Sequence, residues 1–275
     1  MKLIPTAEQK AIIEYPALPL RVAAGAGTGK TTTLAMRIAH LVGAGTAEPE
    51  QVLGITFTNK AAQELAERIA EMLPEGIDSG RTVEIHTYHG FAALILSEFG
   101  VLAGVEHDAK IITPTFSRQL LFDSINSGTY DHLDITWRGI IDRPERLASD
   151  LGDNLRTASD LVGLTASMSG EPWDERAELA DIVARFEAEK RRLGTLDYAD
   201  LVRLAHRVVS DHSSVAERIR SRYRIVLLDE YQDTNAAQRE MLLQVFGKGF
   251  PVTAVGDPDQ TIYEWRGASL ENFAG

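Results

Sequence analysis

Two groups of residues far apart in the chain have the make-up of a site that handles a polyphosphate. Within AAGAGTGKTTT, from Ala23 to Thr33, Gly25, Gly27 and Gly29 leave a loop with almost no side chains. A backbone without Cβ atoms can close around a phosphate, with successive N–H groups pointing inward at the positive end of the helix that follows. Lys30 then reaches the outer phosphates, and the Thr31 hydroxyl takes one position on a magnesium ion. The second group is Asp229 and Glu230, which close the otherwise apolar run IVLL. Two carboxylates at such a place cost stability unless a cation or a proton transfer uses them. Asp229 is placed to hold the magnesium shell through water, and Glu230 to orient and deprotonate an attacking water. Gln260, at the end of the next strand, is either an amide that touches the terminal phosphate or a turn residue.

The elements that must position these groups are legible as alternating strands and helices. Leu20, Val22 and Ala23 read as a buried strand, and Lys30 to Val42 carries apolar residues at helical spacing. The loop between them fits the P-loop pattern except at its first position, where Ala24 replaces glycine. Ahead of it, Thr6 to Ile13 reads as a short capped helix with Gln9 just past its start; that amide suits an adenine edge or faces solvent. Val52 to Phe57 is the next strand, followed by a helix with Ala62, Leu65, Ile69 and Leu73 on one face. A third unit has Val83 to Ile85 as strand, His86 to Gly90 as its exit loop and Phe91 to Phe99 as helix. His86 and His89 lack the further ligands that zinc requires. From Gly100 to Gly194 the segments are amphipathic and helical, and the charged stretch Glu187 to Arg192 reads as a solvated helix face. Strand character returns at Arg224 to Glu230 and Pro251 to Gln260, with a helix from Thr234 to Phe246 between them. The expected fold is α/β, a parallel sheet with right-handed crossovers and its ligands at the carboxyl ends of the strands. A helical subdomain at 100–194 is inserted between the sheet-forming parts 1–99 and 195–275.

Composition narrows the chemistry. The 275 residues include no cysteine, so thiolate metal sites and cysteine nucleophiles are excluded. A net charge of −12 argues against general, charge-driven binding of nucleic acid and leaves only local grooves where bases stack on aromatic rings. Tyr263, Trp265 and Arg266 crowd together in TIYEWRGA, as a stacking platform with a cation beside it or as core. No stretch is long and uncharged enough to cross a membrane, and MKLIPTAEQK lacks a secretion signal, so the cytoplasm is the expected location. A guanine-specific site would carry Asp-x-x-Gly and Asn-Lys-x-Asp. Here Glu-Tyr-Gln follows Asp229 and Ala-Ala follows Asn59-Lys60, which favours ATP.

The order TAEQ, AGAGTGKT, ITFTNKAAQEL, TYHGFA, LLDEYQDTN and VGDPDQTIYEWRGA, from Thr6 to Ala268, resembles the first half of the UvrD/Rep/PcrA group of superfamily 1 DNA helicases. The resemblance implies a RecA-like P-loop NTPase sheet flanked by helices, whose first loop position is commonly alanine. It implies that Gln9 reads adenine and that Ala24, Gly25, Ala26, Gly27, Thr28, Gly29, Lys30, Thr31 and Thr32 line the nucleotide. Asp229 matches the magnesium carboxylate, Glu230 the catalytic base, and Gln260 the glutamine linking terminal phosphate to DNA. Phe57 and Asn59 fall at one single-strand contact motif, Thr87 and His89 at the next. Tyr198 in DYADL corresponds to an aromatic that meets a base, and Tyr263, Trp265 and Arg266 to the motif joining ATP state to base stacking. Thr32 stands where several relatives have arginine. The implied activity is ATP hydrolysis coupled to movement along single-stranded DNA and unwinding at duplex–single-strand junctions, with ATP and Mg2+ as cofactors. A second RecA-like lobe carrying arginine fingers is expected in the parent chain, so the 275 residues alone are expected to turn over slowly. The rival reading is a stand-alone, nucleotide-dependent module that docks on DNA or on a partner.

Overall fold

The computed structural model describes residues 4–74, 81–133, 139–166, 168, 170, 172–247 and 249–257. These divide into two compact units, one holding the described residues up to Leu94 and from Val209 onward, the other Ile95–Val208. The first unit begins with helix α1 (Ala7–Glu14), strand β1 (Leu20–Ala23) and helix α2 (Lys30–Gly43). Strand β2 (Val52–Thr56), helix α3 (Asn59–Met72), strand β3 (Glu84–Thr87) and the start of helix α4 (Tyr88–Phe99) follow. Helix α1 starts where it does because Thr6 and Gln9 cap it reciprocally: Thr6 Oγ1 accepts from Gln9 N at 3.3 Å, and Gln9 Oε1 accepts from Thr6 N at 3.0 Å. Strand β2 is buried at every residue, as a central parallel strand must be. At Gly54 a Cβ would lie 3.3 Å from Ile85 Cγ1, so a side chain there would press on Ile85 across the β2–β3 pair.

The β3–α4 junction differs from the sequence expectation. The strand runs on to Thr87 and the helix starts at Tyr88, so no exit loop separates them. Thr87 Oγ1 accepts from Gly90 N at 3.0 Å and satisfies a donor of the first helical turn. The Tyr88 ring is fully buried, its oxygen accepting from Thr234 Oγ1 at 2.9 Å, which pins the turn from beneath.

The second unit is helical. It contains a two-residue strand β4 (Lys110–Ile111), helices α5 (Pro114–Asn126), α6 (Asp142–Asp153), α7 (Ala158–Thr165) and α8 (Trp173–Arg192), a two-residue strand β5 (Thr195–Leu196) and most of α9 (Tyr198–Asp211). Helix α8 is its axis, packing against α5, α6 and α7, and Ile182 and Phe186 join Ile112, Leu120, Leu121 and Ile125 in its core. The charged end of α8 is the solvated face that its composition suggests at Arg191 and Arg192 but not at Lys190. Lys190 is buried, with Nζ donating to Asp197 Oδ2 at 2.5 Å and Asp200 Oδ2 at 2.6 Å. Desolvation of this ammonium is offset by two carboxylates that themselves cap α9, Asp197 Oδ1 accepting from Asp200 N at 2.9 Å.

The chain returns to the first unit through helix α10 (Ser213–Arg222), strand β6 (Ile225–Leu228), helix α11 (Ala236–Phe246) and strand β7 (Val252–Gly256). The five strands of this unit form one parallel sheet in the order β1-β7-β6-β2-β3. This is the α/β architecture expected from the alternating strand and helix patterns. One face is covered by α2 and α3, whose Leu34, Ile38, Leu65 and Ile69 pack on Val22, Val52, Ile225, Leu227 and Val255. Because the strands run the same way, every strand releases its next residue at one edge, and chemistry from distant parts of the sequence collects there.

Candidate functional site

At that edge the β1–α2 loop has the shape its glycines predict. Gly27 (φ +73°) and Gly29 (φ +81°) occupy left-handed backbone, where a side chain is strained, and a Cβ at Gly29 would lie 3.3 Å from Gln9 Nε2. Thr28 closes the loop on itself, its Oγ1 donating to Gly25 O at 2.8 Å. Gly29 is the N-cap of α2 and supplies no side-chain acceptor, so the first-turn amides of that helix are left for an anion. Gln9 lies against the loop: Nε2 donates to Thr28 O at 2.9 Å while Oε1 caps α1. A cleft of about 470 Å³ opens beside it, lined by Gln9, Ile12, Ala24, Gly25, Lys30 and Leu34 among others. Its mix of apolar wall and polar rim suits a flat ring with a charged tail.

The carboxylates come to this loop from β6. Lys30 Nζ lies 3.1 Å from Glu230 Oε2, and that oxygen also accepts from Gln232 Nε2 at 2.8 Å. Glu230 adopts left-handed backbone (φ +52°), a conformation that costs a non-glycine residue about 1–2 kcal/mol. The strain is held by the two hydrogen bonds to its carboxylate and by Gln232 Oε1, which accepts from Asp257 N at the end of β7, 3.0 Å away. Asp229 is buried, its N–H donating to Ile55 O at 2.9 Å and its Oδ1 accepting from Glu230 N at 3.1 Å, with the Thr31 side chain near its carboxylate. Burial, and next the charge of Glu230, push the Asp229 carboxyl up to about 6; Lys30 and Thr31 pull the other way.

This donor set fits a small hard cation: one hydroxyl and one carboxylate near each other, with a second carboxylate next door. Among the described residues no group of three His, Asp or Glu gathers for a metal. A cation here would therefore take the rest of its shell from phosphate oxygens and water, which is how magnesium is commonly held beside nucleotides.

The other expected residues sort by location. Phe57 and Asn59 follow β2, Thr87 ends β3 and His89 lies in the first turn of α4, so all four sit at the carboxyl ends of two adjacent strands. Phe57 is half-buried and Asn59 exposed. Tyr198 belongs to the helical unit, where it is 54% exposed at the start of α9. Thr32 accepts a hydrogen bond from Arg68 Nη1 at 3.0 Å, so a guanidinium from α3 stands beside the loop. Gln260, Tyr263, Trp265 and Arg266 lie outside the described residues.

Two contributors escape a reading by motif. Gln232 braces Glu230, and its signal was its place two residues after the paired acids. Arg37 is buried among apolar neighbours and anchors α1, which carries Gln9: Nη1 donates to Ile12 O at 2.7 Å and Tyr15 O at 2.6 Å, Nη2 to Pro16 O at 2.9 Å, and Nε to Thr253 Oγ1 at 3.1 Å. Its signal was a charge set within the apolar stripe Leu34, Ile38, Leu41 of α2.

The sequence signature described as the UvrD/REP helicase N-terminal domain matches residues 5–275. The chain belongs to the UvrD/REP helicase N-terminal domain family. It is 32% identical over 277 residues to the ATP-dependent DNA helicase UvrD1 of Mycobacterium leprae, covering 97% of this chain and 34% of that protein. It is 34% identical over 255 residues to the ATP-dependent DNA helicase PcrA of Leuconostoc citreum, covering 93% of this chain and 32% of that protein. A PcrA of Staphylococcus aureus is 31% identical over 267 residues, with 97% and 35% covered. This UvrD/REP N-terminal domain thus spans about a third of the length of these relatives. The match extends through the helical unit as well as the sheet, although the motifs quoted above lie almost wholly in the sheet-forming parts.

Proposed function

We propose that this chain is the ATP-binding motor lobe of an ATP-dependent DNA helicase, one that couples ATP hydrolysis to movement along single-stranded DNA and to unwinding at duplex–single-strand junctions. The observation that carries this reading is the meeting of Lys30 with Glu230 at 3.1 Å, beside Thr31 and the buried carboxylate of Asp229. In this reading the loop amides and Lys30 bind the phosphates, and Gln9, which already touches the loop, sits at the adenine end of the cleft. Lys30 exchanges its bond with Glu230 for one with the terminal phosphate. Glu230, still braced by Gln232, is then free to take a proton from water. Thr31 and Asp229 hold Mg2+, which when bound screens the charge on the phosphate oxygens. Gln260 reports the terminal phosphate, and Asn59, Thr87 and His89 contact the single strand.

Phe57 and Tyr198 offer rings for stacking, and Tyr263, Trp265 and Arg266 form the platform that follows ATP state. The exposure of Tyr198 supports a role in contact rather than in core. The sheet-forming parts 1–99 and 195–275 act as one RecA-like lobe, with the helical insert at 100–194 between them in sequence. The remaining charge stabilisation, including arginine fingers, comes from a second lobe in the parent chain, so this chain alone hydrolyses ATP slowly; such a finger is worth on the order of 10³–10⁵ in rate.

Lys30→Ala tests the reading. Loss of a charge-assisted contact to phosphate is expected to weaken Mg-ATP binding roughly 10- to 100-fold in titration calorimetry. The circular dichroism spectrum should stay unchanged, because the loop is held by its own backbone bonds. Equal affinity in variant and parent would overturn the assignment of the loop.

A further inference from the structure

The hydroxyl of Thr56 is an anomaly. Thr56 is fully buried at the end of β2, and its Oγ1 finds no hydrogen-bond partner among the described residues. A buried hydroxyl left in this state costs stability that valine, of the same shape, would not lose. Its position supplies a reason for keeping it. In the parallel ladder Val52 pairs with Ile225 and Gly54 with Leu227, and the Asp229 N–H bond to Ile55 O carries the ladder one step further. Thr56 therefore stands beside Asp229, on the sheet face that Val52, Ile225 and Leu227 share with α2 and α3. Thr31, at the N-terminus of α2, is near the Asp229 carboxylate. On the other side Thr56 pairs with Thr87. Asp229, Thr56 and Thr87 thus form a polar row across the ends of three neighbouring strands, and the middle member is the one with an unused hydroxyl.

We propose that Thr56 is a further binding residue of the nucleotide site, its hydroxyl forming a hydrogen bond with a water of the hydrated divalent cation held by Thr31 and Asp229. This rests on the nucleotide reading above and adds a residue to it. A strongly hydrated cation keeps several waters when bound, and each needs an oxygen partner on the protein. The cation then satisfies a group that is unsatisfied without it, so the cost of the buried hydroxyl is borne only by the free state.

The test is Thr56→Val in this chain, with Thr56→Ser as the variant that keeps the hydroxyl. Without ligand, Thr56→Val is expected to raise the melting temperature by about 2–4 °C, because an unpaired polar group has been removed at constant shape. In a Mg2+ titration at a fixed concentration of a non-hydrolysable ATP analogue, its half-saturating Mg2+ concentration should rise about 10-fold, the loss of one hydrogen bond near a charge. Thr56→Ser should keep the parent Mg2+ dependence although it loses a methyl group. A lower melting temperature for Thr56→Val, or an unchanged Mg2+ dependence, overturns the proposal. Weaker binding of the analogue that persists at saturating Mg2+ also overturns it, placing the hydroxyl on phosphate rather than on the cation shell. If the parent chain itself gains no stability from Mg2+ and the analogue, the nucleotide reading has failed first.

Discussion

Replacing Arg37 by methionine is expected to destabilise the sheet-forming unit by about 3–5 kcal/mol, because several buried acceptors lose a charged donor and each one left unpaired costs about 1–3 kcal/mol. Methionine fills a similar volume, so lost packing contributes little and the missing hydrogen bonds dominate. The guanidinium donates to the carbonyls of Ile12, Tyr15 and Pro16 and to the Thr253 hydroxyl, and it does so from a fully buried position. Burial lowers its pKa from the ordinary arginine value, yet arginine stays charged under all conditions in which the protein folds. The three carbonyls belong to the end of α1 and the turn after it, and Thr253 belongs to β7, so one side chain of α2 ties three separate segments together. Arg37→Lys should recover only part of the loss, since a point ammonium cannot span the fork. Urea denaturation of both variants measures this. A loss below about 1 kcal/mol for Arg37→Met would show that water replaces the guanidinium without penalty. Because α1 carries Gln9 into contact with Thr28 O, weaker nucleotide binding is expected to accompany the loss of stability.

Asp229→Asn should act in the opposite direction on stability while removing cation binding. Burial first, and then the charge of Glu230, push the Asp229 carboxyl in the folded state from the ordinary aspartate value up to about 6. A carboxyl raised in this way favours the folded state when it is protonated. Its contribution is fully present below about pH 4 and is lost as pH rises through about 6. At pH 8 the ionised, buried group therefore costs on the order of 3 kcal/mol relative to its neutral form. Asparagine is neutral throughout. The variant should exceed the parent in unfolding free energy by up to that amount at pH 8, and the two should converge near pH 4. Denaturation at both pH values, with Mg2+-dependent nucleotide binding measured at pH 8, checks the prediction. A variant less stable than the parent at pH 8 would mean that Asp229 is kept for the structure rather than for a cation. The same sign predicts that cation binding by the parent weakens as pH falls below about 6, where a proton competes for the carboxylate.

These effects concern residues of two kinds. The glycine loop, Lys30, Thr31 and the paired acids could be read from the sequence because their signals are local. A run of residues without Cβ, followed by helical periodicity, dictates its own geometry, and two acids closing an apolar strand are conspicuous wherever the strand lies. Strand and helix identities followed for the same reason. The β3–α4 junction did not, because Tyr88 is drawn into the first helical turn by a hydrogen bond to Thr234, far along the chain. The burial of Lys190 within the charged end of α8 is not legible there, because the carboxylates that pair with it lie on the next helix and the turn before it.

By itself, then, the order of residues determined most of the strand and helix segments of the sheet-forming unit and which side chains have the chemistry for phosphate and cation. Only the tertiary structure decided that β6 lies between β7 and β2, which brings Glu230 to Lys30 across the sheet edge and sets Thr56 beside Asp229. Backbone preference and periodicity act over a few residues. The partner of a buried arginine, lysine or hydroxyl depends on which distant strand the topology makes its neighbour, and no short-range pattern encodes that.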